Sequence, residues 1–92
     1  MHTGSLRVRL LVRESRSLKD KRQVVRGILD RLRHDFNIAA AEVDALDHRQ
    51  LAVLGFATVG AGAEPVTKTL DAVLRALRVH PVAEFLDSER DA

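Results

Sequence analysis

Ninety-two residues, 46% of them apolar, suffice for one small domain with a core of Val, Leu, Ile and Ala, since Phe occurs three times and Trp and Tyr not at all. The absence of cysteine excludes a disulfide framework, a thiolate metal site and a thiol nucleophile, and fits a reducing cytoplasm. The net charge of +2 conceals a split: residues 1–34 carry ten Lys/Arg against three Asp/Glu, residues 35–92 five against ten, so the first part is a candidate surface for an anionic partner.

Residues 5–13 alternate, with Leu6, Val8, Leu10 and Val12 on one face and Arg7, Arg9, Leu11 and Arg13 on the other, the pattern of a half-buried strand. A polar turn leads to Ser17, which suits a helix N-cap, with Asp20 placed to favour the positive end of the helix dipole. Over residues 18–35 the period is helical. Leu18, Val25, Ile28, Leu29, Leu32 and then Phe36 share one side, and Lys19, Arg22, Arg26 and Arg33 form a basic stripe beside it. Lys21 falls inside the apolar sector, where its methylene stem can pack while the ammonium escapes to water.

Residues 36–46 form the second expected strand, and the step from Ile38 and Ala40 to Val43 changes phase, as a bulge would. Asp47-His48-Arg49-Gln50 connects it to a third strand, 51–59, apolar on both faces; a sheet covered on one side does not need that. Gly60 to Pro65 is a loop, with Pro65 in the first turn of a second helix whose buried side is Val66, Leu70, Val73, Leu74 and Leu77. His80-Pro81 stops this helix, residues 82–86 make a short closing strand, and the polar tail 87–92 is expected to fray.

The order strand, helix, strand, strand, helix, strand predicts an α+β, ferredoxin-like split βαββαβ fold: a four-stranded antiparallel sheet with two helices on one face. It is expected as a single domain over residues 1–92, with its core in about 5–86. Leu10, Ile28, Leu32, Leu54, Leu70 and Leu74 are expected to be nearly fully buried.

The runs Ser17-Leu18-Lys19-Asp20-Lys21-Arg22, Phe36-Asn37-Ile38, Ala41-Glu42-Val43 and Gln50-Leu51-Ala52-Val53-Leu54-Gly55 resemble the bacterial YlxP-like proteins, a small family of unknown function, over most of residues 5–86. The most specific mark is Ser-Leu-Lys-x-Lys-Arg after a first strand. The resemblance implies a ferredoxin-like fold, dimers, and a gene that sits among translation genes, near an initiation factor and a ribosome-binding factor. It thereby points to work on RNA or the ribosome. The chain departs from the family at Arg49 and Leu51, where an aromatic and a basic residue often flank the glutamine.

The candidate residues for a nucleic-acid or other anionic partner are Arg7, Arg9, Arg13, Arg16, Lys19, Lys21, Arg22, Arg26 and Arg33. Neutralising phosphates with such a set releases counterions and supplies sequence-independent affinity. The plainer alternative is a solvated helix face and strand face offset by the acidic second part. Aromatics that stack on unpaired bases are lacking, so RNA would be met by shape and phosphate contacts.

No catalytic constellation emerges. Ser15 and Ser17 have no evident base, and the loop after the first strand lacks the glycines of a backbone anion cradle. His48 beside Asp44 and Asp47 is explained more simply by a polar turn than by a metal, and Gly60 and Gly62 do not make a dinucleotide fingerprint. No cofactor is implied. The apolar stretches fall short of the ~20 residues that cross a bilayer, and Met1-His2-Thr3-Gly4 does not read as a signal peptide. The expectation is a non-enzymatic, cytoplasmic protein with no membrane contact, a homodimer that buries the second face of strand 51–59 or the strand edges, and a partner in RNA or the ribosome. A module docking on an acidic protein surface is the alternative, and a small phosphate-ligand enzyme a distant third.

Overall fold

The computed structural model describes residues 1–91. The elements follow in the expected order: β1 (His2–Leu11), α1 (Leu18–Asp35), β2 (Ala39–Asp44), β3 (Leu51–Gly60), α2 (Ala63–Arg78) and β4 (Glu84–Asp91). They form one antiparallel four-stranded sheet in the order β2-β3-β1-β4, the ferredoxin-like α+β arrangement.

β1 begins at His2, three residues before the expected start, because His2, Thr3 and Gly4 pair with Gly60, Val59 and Thr58 of β3. Its alternation places Leu6, Val8 and Leu10 in the core and Arg7 and Arg9 on the open face of the sheet. It leaves the ladder after Leu11, although Val12 stays buried and donates its N–H to the Gln50 carbonyl at 2.9 Å.

α1 starts where Ser17 caps it: the Ser17 hydroxyl accepts the Asp20 N–H at 3.1 Å, and the Asp20 carboxylate accepts the Arg16 N–H at 3.1 Å. Val25, Ile28, Leu29 and Leu32 bury its apolar side against the sheet. From α2, Val66, Leu70, Val73 and Leu77 complete the core. Leu74, expected to be nearly fully buried, is only partly so; it flanks the stripe that faces the sheet.

β2 is shorter than expected, six residues rather than eleven. Phe36, Asn37 and Ile38 are spent on leaving α1: the Phe36 N–H caps the Leu32 carbonyl, and the Asn37 carbonyl accepts the hydroxyl of buried Thr58 at 2.8 Å. The expected bulge is present. Glu42 pairs with Leu54 and Asp44 with Val53, leaving Val43 as the extra residue.

β4 requires the largest correction. Residues 87–91, expected to fray, are strand, paired with β1 from Ser5↔Asp91 to Leu11↔Glu84, while residues 82 and 83 precede the strand. Polarity misleads here because the backbone ladder to β1 holds this edge, with ion pairs on its faces beyond Phe85. Asp87 pairs with Arg9 on the open face, and Arg90 reaches back to α2, donating to Asp71 at 2.8 Å and to the Thr67 carbonyl at 3.0 Å. Ala92 lies outside the described residues.

Candidate anionic-partner interface

The nine candidate cations separate into four situations. Arg7, Arg9 and Arg13 lie on or beside the open sheet face and are already paired. Arg7 meets Asp44 at 2.9 Å, Arg9 makes a two-pronged contact with Asp87, and Arg13 meets Glu84. Hydrogen bonding from Arg9 holds the Asp87 carboxyl below the usual carboxylate range, and Arg9 is raised in turn. Asp44 is likewise lowered, first by the Ala45 N–H and then by Arg7. Hydrogen bonding to Glu84 raises Arg13.

Lys21 is buried outright, and its expected escape to water does not occur. The side chain has no exposure, and Nζ donates to the carbonyls of Ala45 (2.8 Å), Leu46 (3.3 Å) and Leu51 (3.1 Å). Glu42 Oε2 stands 2.9 Å away, off the direction of a hydrogen bond, as the counter-charge. A lysine so near the helix start points back toward the β2–β3 connection, where loop carbonyls are closer than water. It cannot touch an external partner.

Arg33 is occupied by its own surroundings, pairing with Asp30 at 3.2 Å and donating to the Ala40 carbonyl on β2, the strand with no neighbour on its outer side. That contact blunts a sheet edge.

The fourth group is Arg16, just before the cap of α1, with Lys19, Arg22 and Arg26 along the helix's start, all exposed. Arg22 has only a distant carboxylate, Asp47 at 3.9 Å. Arg16, Lys19 and Arg26 make no ion pair among the described residues.

Two features escaped the sequence. One is the set of counter-charges on β2 and β4, invisible until the register of β4 is known. The other is the loop 45–50, which lies against both α1 and the β1–α1 connection. Gln50 Nε2 donates to the Arg13 carbonyl at 2.9 Å, and His48 Nδ1 accepts the N–H groups of Gln50 (3.1 Å) and Leu51 (2.8 Å). The histidine therefore serves the turn, with Nδ1 occupied. Among the described residues no group of three or more His, Cys, Asp or Glu is arranged to hold a metal ion, and no helix is long and apolar enough to cross a membrane.

A sequence model of a protein family, described as a protein of unknown function (DUF503), matches residues 3–90. The chain belongs to the DUF503 family. No curated protein matches it. In this DUF503 chain the aromatics are withdrawn from the surface: Phe56 is buried, Phe36 is partly buried, and Phe85 is partly buried with the Arg78 guanidinium 4.6 Å above its ring.

Proposed function

We propose that this DUF503 protein is a non-enzymatic, cytoplasmic RNA-docking module that contacts the phosphate backbone through the start of α1. The observation that carries this reading is the contrast in pairing. Arg7, Arg9 and Arg13 are neutralised within the fold, whereas among the described residues Arg16, Lys19 and Arg26 have no carboxylate partner and Arg22 only a distant one. Lys19, Arg22 and Arg26 recur every three to four positions, so successive charges are about 5 Å apart along the helix, with Arg16 just ahead of its cap. Such a row suits a polymer of evenly repeated charge better than an irregular acidic protein surface. Withdrawal of the aromatics favours duplex or structured RNA over splayed single strands. The resemblance to YlxP-like proteins, encoded among translation genes, points the same way.

The test is binding to a structured RNA at ~50 mM salt, where electrostatic association is strongest. Wild-type protein should bind, and Lys19→Glu/Arg22→Glu/Arg26→Glu should fold normally and lose binding. Each phosphate contact removed should lower the salt slope by about 1. Wild-type protein that ignores RNA but binds an acidic protein would replace this reading with the acidic-partner one.

A second surface supports self-association. The β2–β3 half of the open sheet face carries Ala39, Ala41, Val43, Ala57 and Val59, with Val43 48% and Val59 53% exposed around a shallow hollow. No element of the fold covers it. A symmetric dimer that stacks this apolar half on its own copy would leave α1 free on the opposite side of the sheet.

A further inference from the structure

We infer that the β2–β3 loop is the second wall of the RNA site, that Arg49 is its contacting residue, and that buried Lys21 is the positioning residue that holds it there. This rests on the RNA-docking reading of α1 and extends it to a part of the chain outside the basic N-terminal segment.

The loop is fastened from three directions. From α1, the Lys21 ammonium grips the carbonyls of Ala45, Leu46 and Leu51. From the β1–α1 connection, Val12 donates to the Gln50 carbonyl at 2.9 Å, while Gln50 Nε2 donates to the carbonyls of Arg13 (2.9 Å) and Ser15 (3.4 Å). From within, His48 Nδ1 accepts two amides, and the Asp44 carboxylate accepts the Ala45 N–H at 2.8 Å. Ala45 has φ 54°, a left-handed conformation that is unfavourable for a residue with a Cβ. The strain is held in place by the Asp44 and Lys21 contacts on either side of the Ala45 peptide units. A loop fixed this firmly, carrying an exposed residue without an ion pair among the described residues, is a preorganised contact rather than a slack connection.

Arg49 is that residue. Its neighbours His48 and Gln50 are both anchored, and Gln50 is bonded to the segment that leads directly into Arg16. Asp47, on the same loop, is the carboxylate nearest Arg22. Arg49 thus lies in sequence between the residue anchored to the segment that leads into Arg16 and the residue whose carboxylate is nearest Arg22, on a different backbone element from α1. A site with walls on two elements can meet phosphates on both sides of a groove, whereas a row on one helix follows a single strand. The partner that fits is the phosphate backbone of an RNA duplex. The nearby Asp20 and Asp47 offset only part of the cluster, two carboxylates against the five cations Arg16, Lys19, Arg22, Arg26 and Arg49, with Asp47 3.9 Å from Arg22.

The experiment compares wild type, Arg49→Ala, Gln50→Ala, Lys21→Met/Glu42→Gln and Lys19→Glu/Arg22→Glu/Arg26→Glu for binding to a short RNA duplex across a salt series, with circular dichroism to confirm folding. Arg49→Ala should weaken binding several-fold and lower the salt slope by about 1. Gln50→Ala and the charge-neutral Lys21→Met/Glu42→Gln should weaken it similarly, although neither changes the net surface charge. Adding Arg49→Ala to either should cause little further loss, a non-additivity that a purely structural role does not produce. If the lysine variant fails to fold, Gln50→Ala alone decides the positioning. Arg49→Ala binding as wild type while the helix variant loses binding would overturn this inference and leave the α1 reading intact. Wild-type protein with no affinity for the duplex would overturn both.

Discussion

The Lys21 ammonium and the Glu42 carboxylate stand 2.9 Å apart beneath the β2–β3 loop, the lysine side chain wholly excluded from water and the glutamate 13% exposed. A pair so buried is weak evidence for net stabilisation, but removing one member strands the other. Lys21→Met should therefore cost roughly 3–5 kcal/mol by urea denaturation. Lys21→Met/Glu42→Gln should recover part of that loss, because no bare carboxylate remains. A double variant no more stable than Lys21→Met would show that the three carbonyl bonds, not the ion pair, dominate.

The bulge on β2 is matched to a glycine on β3. A Cβ added at Gly55 would lie 2.8 Å from Val43 Cγ1, so the extra residue of the bulge folds its side chain over a β3 position that has none. Gly55→Ala should cost about 1–3 kcal/mol through overpacking. Val43→Ala on that background should restore most of it, giving a coupling energy measurable by a double-mutant cycle.

Leu32 lies in the core formed by α1 and the sheet, 3% exposed. Leu32→Ala should cost roughly 2–5 kcal/mol, seen as a lowered melting temperature. An unchanged melting temperature would contradict the packing of α1.

His80 closes the α2–β4 connection much as His48 closes β2–β3, its Nδ1 accepting the N–H groups of Val82 (3.2 Å) and Ala83 (3.1 Å). Partial burial lowers its pKa from the ordinary value of 6.5. The folded state therefore resists a proton that the unfolded chain accepts, so stability is full above about pH 6.5 and falls as the pH drops below it. His80→Asn, whose amide oxygen can accept the same bonds without titrating, should flatten the fall in melting temperature that sets in below about pH 6.5. A second loss should follow below about pH 4 as the lowered Asp87 and Asp44 are protonated and their arginines released.

If the apolar half of the open face is self-complementary, sedimentation at high micromolar concentration should give a dimer mass, and Val59→Lys should give a monomer that retains RNA binding. A wild-type mass of one chain at every concentration would remove the dimer.

The fold was legible because its apolar periods are strong. Leu6, Val8 and Leu10 alternate without a break, and Ser17 with Asp20 marks the start of α1 to the residue. The site was less so. Helical spacing placed Lys21 in the apolar sector correctly, but where its ammonium goes depends on carbonyls 24 to 30 residues away that no local pattern encodes. β4 was half missed for a related reason. Asp87, Glu89 and Asp91 read as solvated tail until the antiparallel register sets Asp87 opposite Arg9 and Glu89 opposite Arg7.

The place of β1 in the sheet has a consequence for the order in which the molecule is made. β1 is an inner strand, bonded to β3 on one side and β4 on the other, and the Arg9–Asp87 contact joins residues 78 positions apart. At 5–20 residues per second, a ribosome that has added Arg9 needs about 4–15 s more to supply Asp87. For that interval Arg9 and Arg13 are bare cations on a nascent chain, close to ribosomal RNA, their carboxylates not yet translated. Pairs this exposed add little to stability, so the sheet closes on the β1–β4 ladder, and the carboxylates arrive with the strand that carries them.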